Sequence, residues 1–305
     1  MLKIFPRHRQ LCIVAAVFLG MLTGIPDVPA SEKTAAVVVS RKIRPYVQVT
    51  DGILEHIGPA VTGPDVYFLS PEDESVTAQI RDRLMQTGYD LVAAVGPEAA
   101  GLVWEPGIPG GKIYAALLDP DTVPGLPKDA CGISLRIPVP IQVAVIKDTF
   151  PSLKKIGLLF DPDHNRWFFD TAVSAAASRQ AVFEIIPLEV TSRNRIGQVL
   201  KEGLGQVDAV WMIPDQTVIS EKLIQYVIRQ ALYANAGVIG YNPYFTRAGA
   251  VFSFEFDYKN LGNQAGDVMT QYLTEGICPA APPVFDTRIN LKMVEKLGMQ
   301  VEATP

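Results

Sequence analysis

The sequence predicts an α/β protein built from doubly wound parallel sheets, and three observations carry that prediction. Runs of aliphatic and β-branched residues lack the polar–apolar alternation of a half-exposed strand, which is how strands read when helices cover both faces of a sheet. Helical patterns lie between them, each long enough for the crossover that parallel strands require. Two interruptions, a proline-rich one near residue 120 and a second beyond residue 256, break the alternation into lobes.

The elements follow in order. A buried-strand run at 35–40 is followed by runs at 66–69, 91–95 and 113–118, with a helix at 74–87 after the turn pair Ser70-Pro71. The segment 119–128 (DPDTVPGLPK) holds three prolines, and the strand-like stretch 131–135 after it reads as a crossing between domains. Helix 140–149, strand 155–160, helix 168–179, strand 183–188, helix 193–203, strand 209–213, helix 220–234 and strand 237–241 continue the alternation. A β-rich run at 249–256 then leads into a helix at 258–275, and PAAPP (279–283) precedes an extended run at 284–289. The chain therefore crosses back and crosses again.

Residues 1–30 read as a secretory signal rather than as part of the fold. Lys3, Arg7 and Arg9 form a basic start, 11–22 is apolar and uncharged, and Val28 and Ala30 put small residues before a cut at Ser31. Twelve helical residues span about 18 Å, short of the ~30 Å hydrocarbon core, so an uncleaved anchor is the lesser reading. Cys12 lacks the lipid-attachment context of a lipoprotein.

Without that segment 24 basic residues face 31 acidic ones. An acidic chain with no basic face is not expected to bind nucleic acid. Cys131 and Cys278 remain, either as two buried thiols or as a disulfide in an oxidising compartment.

Taken together, SRKIRPYVQVTDGI (40–53), DLVAAVGPEAA (90–100), YAALLDP (ending at 120), GISLRIPV (132–139), FPSLKKIGLLFDP (150–162), VDAVWMIPDQTVIS (207–220), AGAVFSFEFDYKNLGNQAGDVM (248–269) and INLKMVEKLGM (289–299) resemble, in order and spacing, one family. It is that of the ABC transporter substrate-binding proteins of the tryptophan/tyrosine-binding type, with the type I periplasmic-binding-protein fold. The resemblance implies two lobes joined by a three-strand hinge, with the ligand between them. The first lobe would comprise 31–131 and 257–281, the second 132–256 and 283–305.

Candidate ligand contacts sit where strands end. Gly96, Pro97, Glu98 and Ala99 lie at a strand-to-helix turn whose backbone N–H groups suit a carboxylate, or else form a plain turn with solvated Glu98. Family members carry a small hydroxyl or amide pair where this chain has Pro97 and Glu98. Ser40, Arg41 and Tyr46 follow the first strand. Arg41 suits a bidentate grip on a carboxylate and Tyr46 a ring stack, against a solvated Arg and a half-buried Tyr. Asp215 suits a ligand ammonium, as the resemblance also implies, with Gln216 beside it; the alternative is an N-cap or Asx-turn. Arg166, Trp167 and Tyr241 are cleft candidates of the second lobe, whereas Phe168 and Phe169 suit a helix core face.

Enzyme signatures are missing. Beyond residue 30 only His56 and His164 remain, without a nucleophile elbow, a His-Glu-x-x-His pair or a Cys-x-x-Cys pair, and Gly107 to Gly111 lacks the Lys-Ser or Lys-Thr of a phosphate loop. No metal or other cofactor is expected. An exported glycoside hydrolase stays open only because two carboxylates can meet in space without a sequence signature. The expectation is a non-catalytic periplasmic protein, monomeric, that closes on a small polar ligand such as an amino acid and presents it to an inner-membrane ABC permease. A sensor or partner-docking protein with the same fold is the alternative.

Overall fold

A computed structural model of the chain describes residues 33–58, 61, 63–70, 72–178 and 183–302. The signal segment and the cut after Ala30 that the sequence leads one to expect lie outside these residues.

The first sheet contains β1 (Ala35–Val39), β2 (Asp65–Phe68), β3 (Leu91–Val95), β4 (Gly111–Leu117) and β5 (Gly132–Ser134), in the order β2-β1-β3-β4-β5 and parallel throughout. Every side chain of β1 and β3 is buried, so neither strand has a solvent face to make polar. One face is covered by α1 (Arg44–His56) and α9 (Tyr258–Glu275), the other by α2 (Glu74–Thr87) and α3 (Pro97–Val103). The Cβ of an alanine at Gly262 would run into the Val49 carbonyl, and one at Gly266 would lie 2.7 Å from His56 Cβ. The two helices therefore meet backbone to backbone, which only residues without a Cβ permit.

The second sheet contains β6 (Lys155–Phe160), β7 (Glu184–Glu189), β8 (Ala209–Met212), β9 (Gly237–Gly240), β10 (Phe252–Glu255) and β11 (Asp286–Ile289), ordered β11-β10-β9-β8-β6-β7. Only the β10–β11 pair is antiparallel. Its two cores involve α4 (Val139–Thr149) and α5 (Pro162–Ser178) on one face, and α6 (Ile196–Gly203), α7 (Glu221–Tyr233) and α8 (Pro243–Ala248) on the other. The short α10 (Leu291–Lys296) closes the chain's end against the α4 side through Val294.

Three segments connect the sheets: 135–138 between β5 and α4, 256–257 between β10 and α9, and 276–285 between α9 and β11. Phe256, on the second of these, packs against a core of each sheet. The strand at 132–134 hydrogen-bonds to β4, so the first passage begins beyond it.

Local chemistry explains most boundaries. Asp73 caps α2 by accepting from Ser75 N at 2.9 Å, and Gly88 ends it at φ 63°. Asp257 caps α9 through the N–H groups of Lys259 and Asn260, and Gly276 ends it at φ 70°. These are the standard reasons for Asp before a helix and Gly after one. The fifth helix, Pro162–Ser178, is two helical pieces joined across a kink at Asn165 (φ −126°), so its longer piece begins close to the 168 expected from sequence, with a short turn before it.

Candidate functional site

At the carboxyl ends of β1 and β3 the structure brings together Ser40, Arg41, Tyr46, Gly96, Pro97, Glu98 and Ala99. Ser40 is buried, and its Oγ accepts from Ala99 N at 2.8 Å. Gly96 takes φ +89°, and an added Cβ would fall 2.7 Å from Ser40 Oγ and 2.8 Å from Tyr46 Cζ. The Tyr46 ring therefore lies directly on the glycine backbone, and no larger residue fits there.

Two expectations for this turn change in the structure. Glu98 is not a solvated acid opposing an anion: its Oε1 accepts from Arg41 Nη2 at 2.5 Å and Nε at 3.0 Å. Arg41 is correspondingly engaged by a protein carboxylate. The backbone donors are also taken, since Gly96 N donates to Ala115 O, Ala99 N to Ser40 and Ala100 N to Gly96 O. Proline at 97 supplies no donor at all. Burial pushes the Glu98 carboxyl up, but hydrogen bonds from its own backbone N–H, Arg41 and Ser40 outweigh that and hold it below the ordinary value. Burial, and then the Glu98 charge, push the Tyr46 phenol up.

The second cluster lies at the carboxyl ends of β6, β8 and β9. Asp215 is buried, with Oδ2 accepting from Asp161 N at 2.7 Å and Asn165 Nδ2 at 2.8 Å, and Oδ1 from Thr217 N at 2.8 Å. The last bond is an Asx-turn, the structural alternative to ammonium binding at this position. Asn165 explains the irregular start of α5: its amide is drawn onto Asp215 rather than along the helix. Asp161, also buried, accepts from Thr217 Oγ1 at 2.6 Å and Asp163 N at 3.0 Å, with His164 Nδ1 3.3 Å away. Burial pushes its carboxyl up, but these bonds prevail and hold it below the ordinary value. Burial, together with the Asp215 charge, pushes the Tyr241 phenol up to about 12, and its ring stands 4.7 Å from that of Phe245.

The other candidates adjoin the second cluster along the chain but make their side-chain contacts elsewhere. Arg166 Nη2 pairs with Glu189 Oε1 at 2.7 Å on the edge strand, and its guanidinium covers the stacked rings of Phe160 and Phe169. Gln216 is exposed, and its carbonyl accepts from Arg193 Nη2 at 3.0 Å. Trp167 is 46% exposed, edge-on to Phe168, which packs in turn on the buried Trp211.

Sequence reasoning missed Asp161, Asn165, Thr217 and Arg136. Arg136, on the first passage between the sheets, pairs with Asp119 and with Asp121 (3.0 Å) and covers the Trp167 ring at 5.3 Å. The only sequence signal for it was its place just beyond the proline-rich crossing.

Cys131 and Cys278 form a disulfide, with Cα atoms 5.7 Å apart. It ties the residue before β5 to the chain leaving α9, and both of those elements pack on the first sheet. Among the described residues no group of three or more His, Cys, Asp or Glu is arranged to hold a metal ion, and no helix is long and apolar enough to cross a membrane.

The comparisons fit this architecture. A substrate-binding protein with adhesive properties from Clostridium difficile, in a ligand-free, open structure, is 19% identical with TM-score 0.72, covering 88% of this chain and 95% of that one. The ABC domain from Streptococcus pneumonia in complex with L-Trp is 22% identical with TM-score 0.52, over 88% and 96%. A conserved domain protein from Vibrio cholerae is 20% identical with TM-score 0.53, also over 88% and 96%. These likenesses establish the two-lobed type I periplasmic-binding-protein fold. No match was found among functionally curated proteins. The model of the ABC transporter substrate binding protein family matches residues 65–304, and with four-fifths of its length inside that match the chain belongs to this family.

Proposed function

We propose that the protein is the periplasmic solute-binding component of an ABC-type uptake transporter. It takes a small polar ligand, an amino acid or a related molecule, closes its lobes around it, and delivers it to an inner-membrane permease. It acts as a monomer and carries out no reaction. The lobes follow the division expected from the sequence, 31–131 with 257–281 and 132–256 with 283–305, except that 132–134 pairs with β4 and goes with the first lobe.

One observation carries this reading: both polar clusters are built at strand carboxyl ends, the ends at which open α/β sheets hold their ligands. The first-lobe cluster is self-neutralised by Arg41 and Glu98, whereas Asp161 and Asp215 are two buried acids with one exposed histidine nearby. A zwitterionic ligand suits that asymmetry. Its carboxylate would take Arg41 from Glu98, and its ammonium would face the acids of the second lobe.

Closure selects for occupancy when the ligand prefers the closed form. About 100-fold discrimination corresponds to roughly 2.7 kcal/mol of bias. The test is a thermal-shift screen of refolded mature chain, from Ser31 onward, against amino acids, nucleosides, sugars and small carboxylates. Saturation at 100 times the dissociation constant adds about 2.7 kcal/mol, a rise of a few degrees for a chain of this size. One responding class establishes the binder; folded protein that responds to none overturns the proposal.

A further inference from the structure

Tyr258 is the first residue of α9 and follows Phe256 and Asp257, the second passage between the sheets, where Phe256 packs against a core of each sheet. Its side chain and that of Tyr46 both lie against the first-sheet core. The contact between α1 and α9 makes the two neighbours. A Cβ at Gly262 would meet the Val49 carbonyl, and one at Gly266 would lie 3.0 Å from the Ile53 carbonyl, so the helices run in the same direction and in step. One turn back from Val49 and Gly262 stand Tyr46 and Tyr258, at the helix ends nearest the strand carboxyl ends. Tyr46 lies on Gly96 there, so the pair adjoins the turn at which Arg41 grips Glu98.

Among the described residues neither phenol oxygen has a hydrogen-bond partner, and neither is sealed from solvent. Burial pushes both phenols up, and the Glu98 charge adds to this at Tyr46, so each keeps the proton it can donate. A carboxylate arriving at Arg41 needs such donors. It offers about four acceptor positions, of which a bidentate arginine fills two. The backbone N–H groups of Gly96, Ala99 and Ala100 are already used, and Pro97 has none.

We propose that Tyr258 is a ligand-contacting residue, its phenol and that of Tyr46 donating to the carboxylate that Arg41 holds. This role rests on the solute-binding reading above, and the group that the first lobe reads is then a free carboxylate rather than a neutral amide.

The test uses refolded mature protein and the variants Tyr258→Phe and Tyr46→Phe, which keep both rings and are each confirmed as folded by a urea transition. Calorimetry measures the common L-amino acids, the amide of whichever binds most tightly, and ribose and adenosine as solutes without a carboxylate. Wild type is expected to prefer the acid over its amide. Each variant should weaken binding of the acid by about ten- to a hundredfold, the size of a hydrogen bond to a charged acceptor, and cut the acid-over-amide preference by about fivefold or more. A tyrosine that only shaped the passage between the sheets would weaken acid and amide alike. That result in Tyr258→Phe overturns the inference, as does an affinity that does not change. So does a wild type that binds acid and amide equally, or that binds ribose or adenosine but no amino acid, and both of these leave the solute-binding reading standing. A wild type that binds no probe at all overturns both.

Discussion

The backbone N–H of Asp161 donates to Oδ2 of Asp215 across 2.7 Å, tying together the loops that leave β6 and β8. The tie makes Asp215 a structural residue first, since its carboxylate also serves Asn165 and Thr217 in a buried setting. Asp215→Ala would strand three donors. At about 1–3 kcal/mol for each buried unsatisfied group, the loss should reach roughly 3 kcal/mol or more. Asp215→Asn keeps the shape and one acceptor and should lose less than half as much. Urea midpoints of the two variants measure this, and equal losses would show that charge rather than hydrogen-bond acceptance is what the site needs.

Gly96 presents a different constraint, steric rather than polar. Gly96→Ala must place a methyl within 2.8 Å of Tyr46 Cζ and 2.7 Å of Ser40 Oγ while holding φ at +89°. Overpacking costs about 1–3 kcal/mol and the backbone strain about 1–3 more, so a loss near 3 kcal/mol is expected. The Tyr46 ring is the neighbour that can move. Gly96→Ala combined with Tyr46→Ala should therefore recover part of that loss, which a double-mutant cycle in thermal unfolding would reveal.

Much of the fold was legible because burial and caps leave marks along the chain. The all-apolar runs of β1 and β3 and the Asp and Gly residues flanking α2 and α9 predict those elements almost to the residue. Helix α1 was not legible. It carries Pro45 in its first turn and β-branched Val47, Val49 and Thr50 beyond it, and its glycine-mediated contact with α9 overrides those propensities. The candidate site was half legible. Strand ends point to the right turns, but the sequence does not reveal that Glu98, 57 residues from Arg41, is its partner. Nor does it reveal that Asp215 is used by its neighbours. Pairings across strands depend on register, which single-sequence patterns do not encode.

The disulfide joins residues 147 apart in sequence, with both ends on the first-sheet side. Its contribution comes from restricting the unfolded chain, and for so long a loop the entropy model gives about 5 kcal/mol, with native bridges commonly measured at about 2–5. Dithiothreitol, or the pair Cys131→Ala and Cys278→Ala, should lower the unfolding midpoint by several degrees. Because the bridge does not span the two sheets, ligand affinity of the reduced protein should stay within about twofold of the oxidised value at temperatures where it remains folded. A larger change would mean that the chain leaving α9 takes part in closure.

Tyr241 makes stability depend on alkaline pH, with a definite sign. Burial and the neighbouring Asp215 charge push its phenol from 10.0 up to about 12, so the folded chain keeps a proton that the unfolded chain releases. The contribution is complete below pH 10 and is lost as pH rises from 10 towards 12. A shift of that size corresponds to at most about 2–3 kcal/mol, because part of the ring still meets solvent. Tyr46 and Tyr258 are raised as well and add to the same slope, so the measurement must be a difference. Tyr241→Phe removes one titrating group while keeping the ring against Phe245. Urea unfolding of wild type and Tyr241→Phe at pH 8, 9, 10, 11 and 12 should give curves that run parallel up to pH 10 and then converge or cross, the wild type falling faster. Curves that stay parallel throughout would mean that the Tyr241 phenol ionises as easily in the folded chain as in the unfolded one, and that Asp215 is shielded from it.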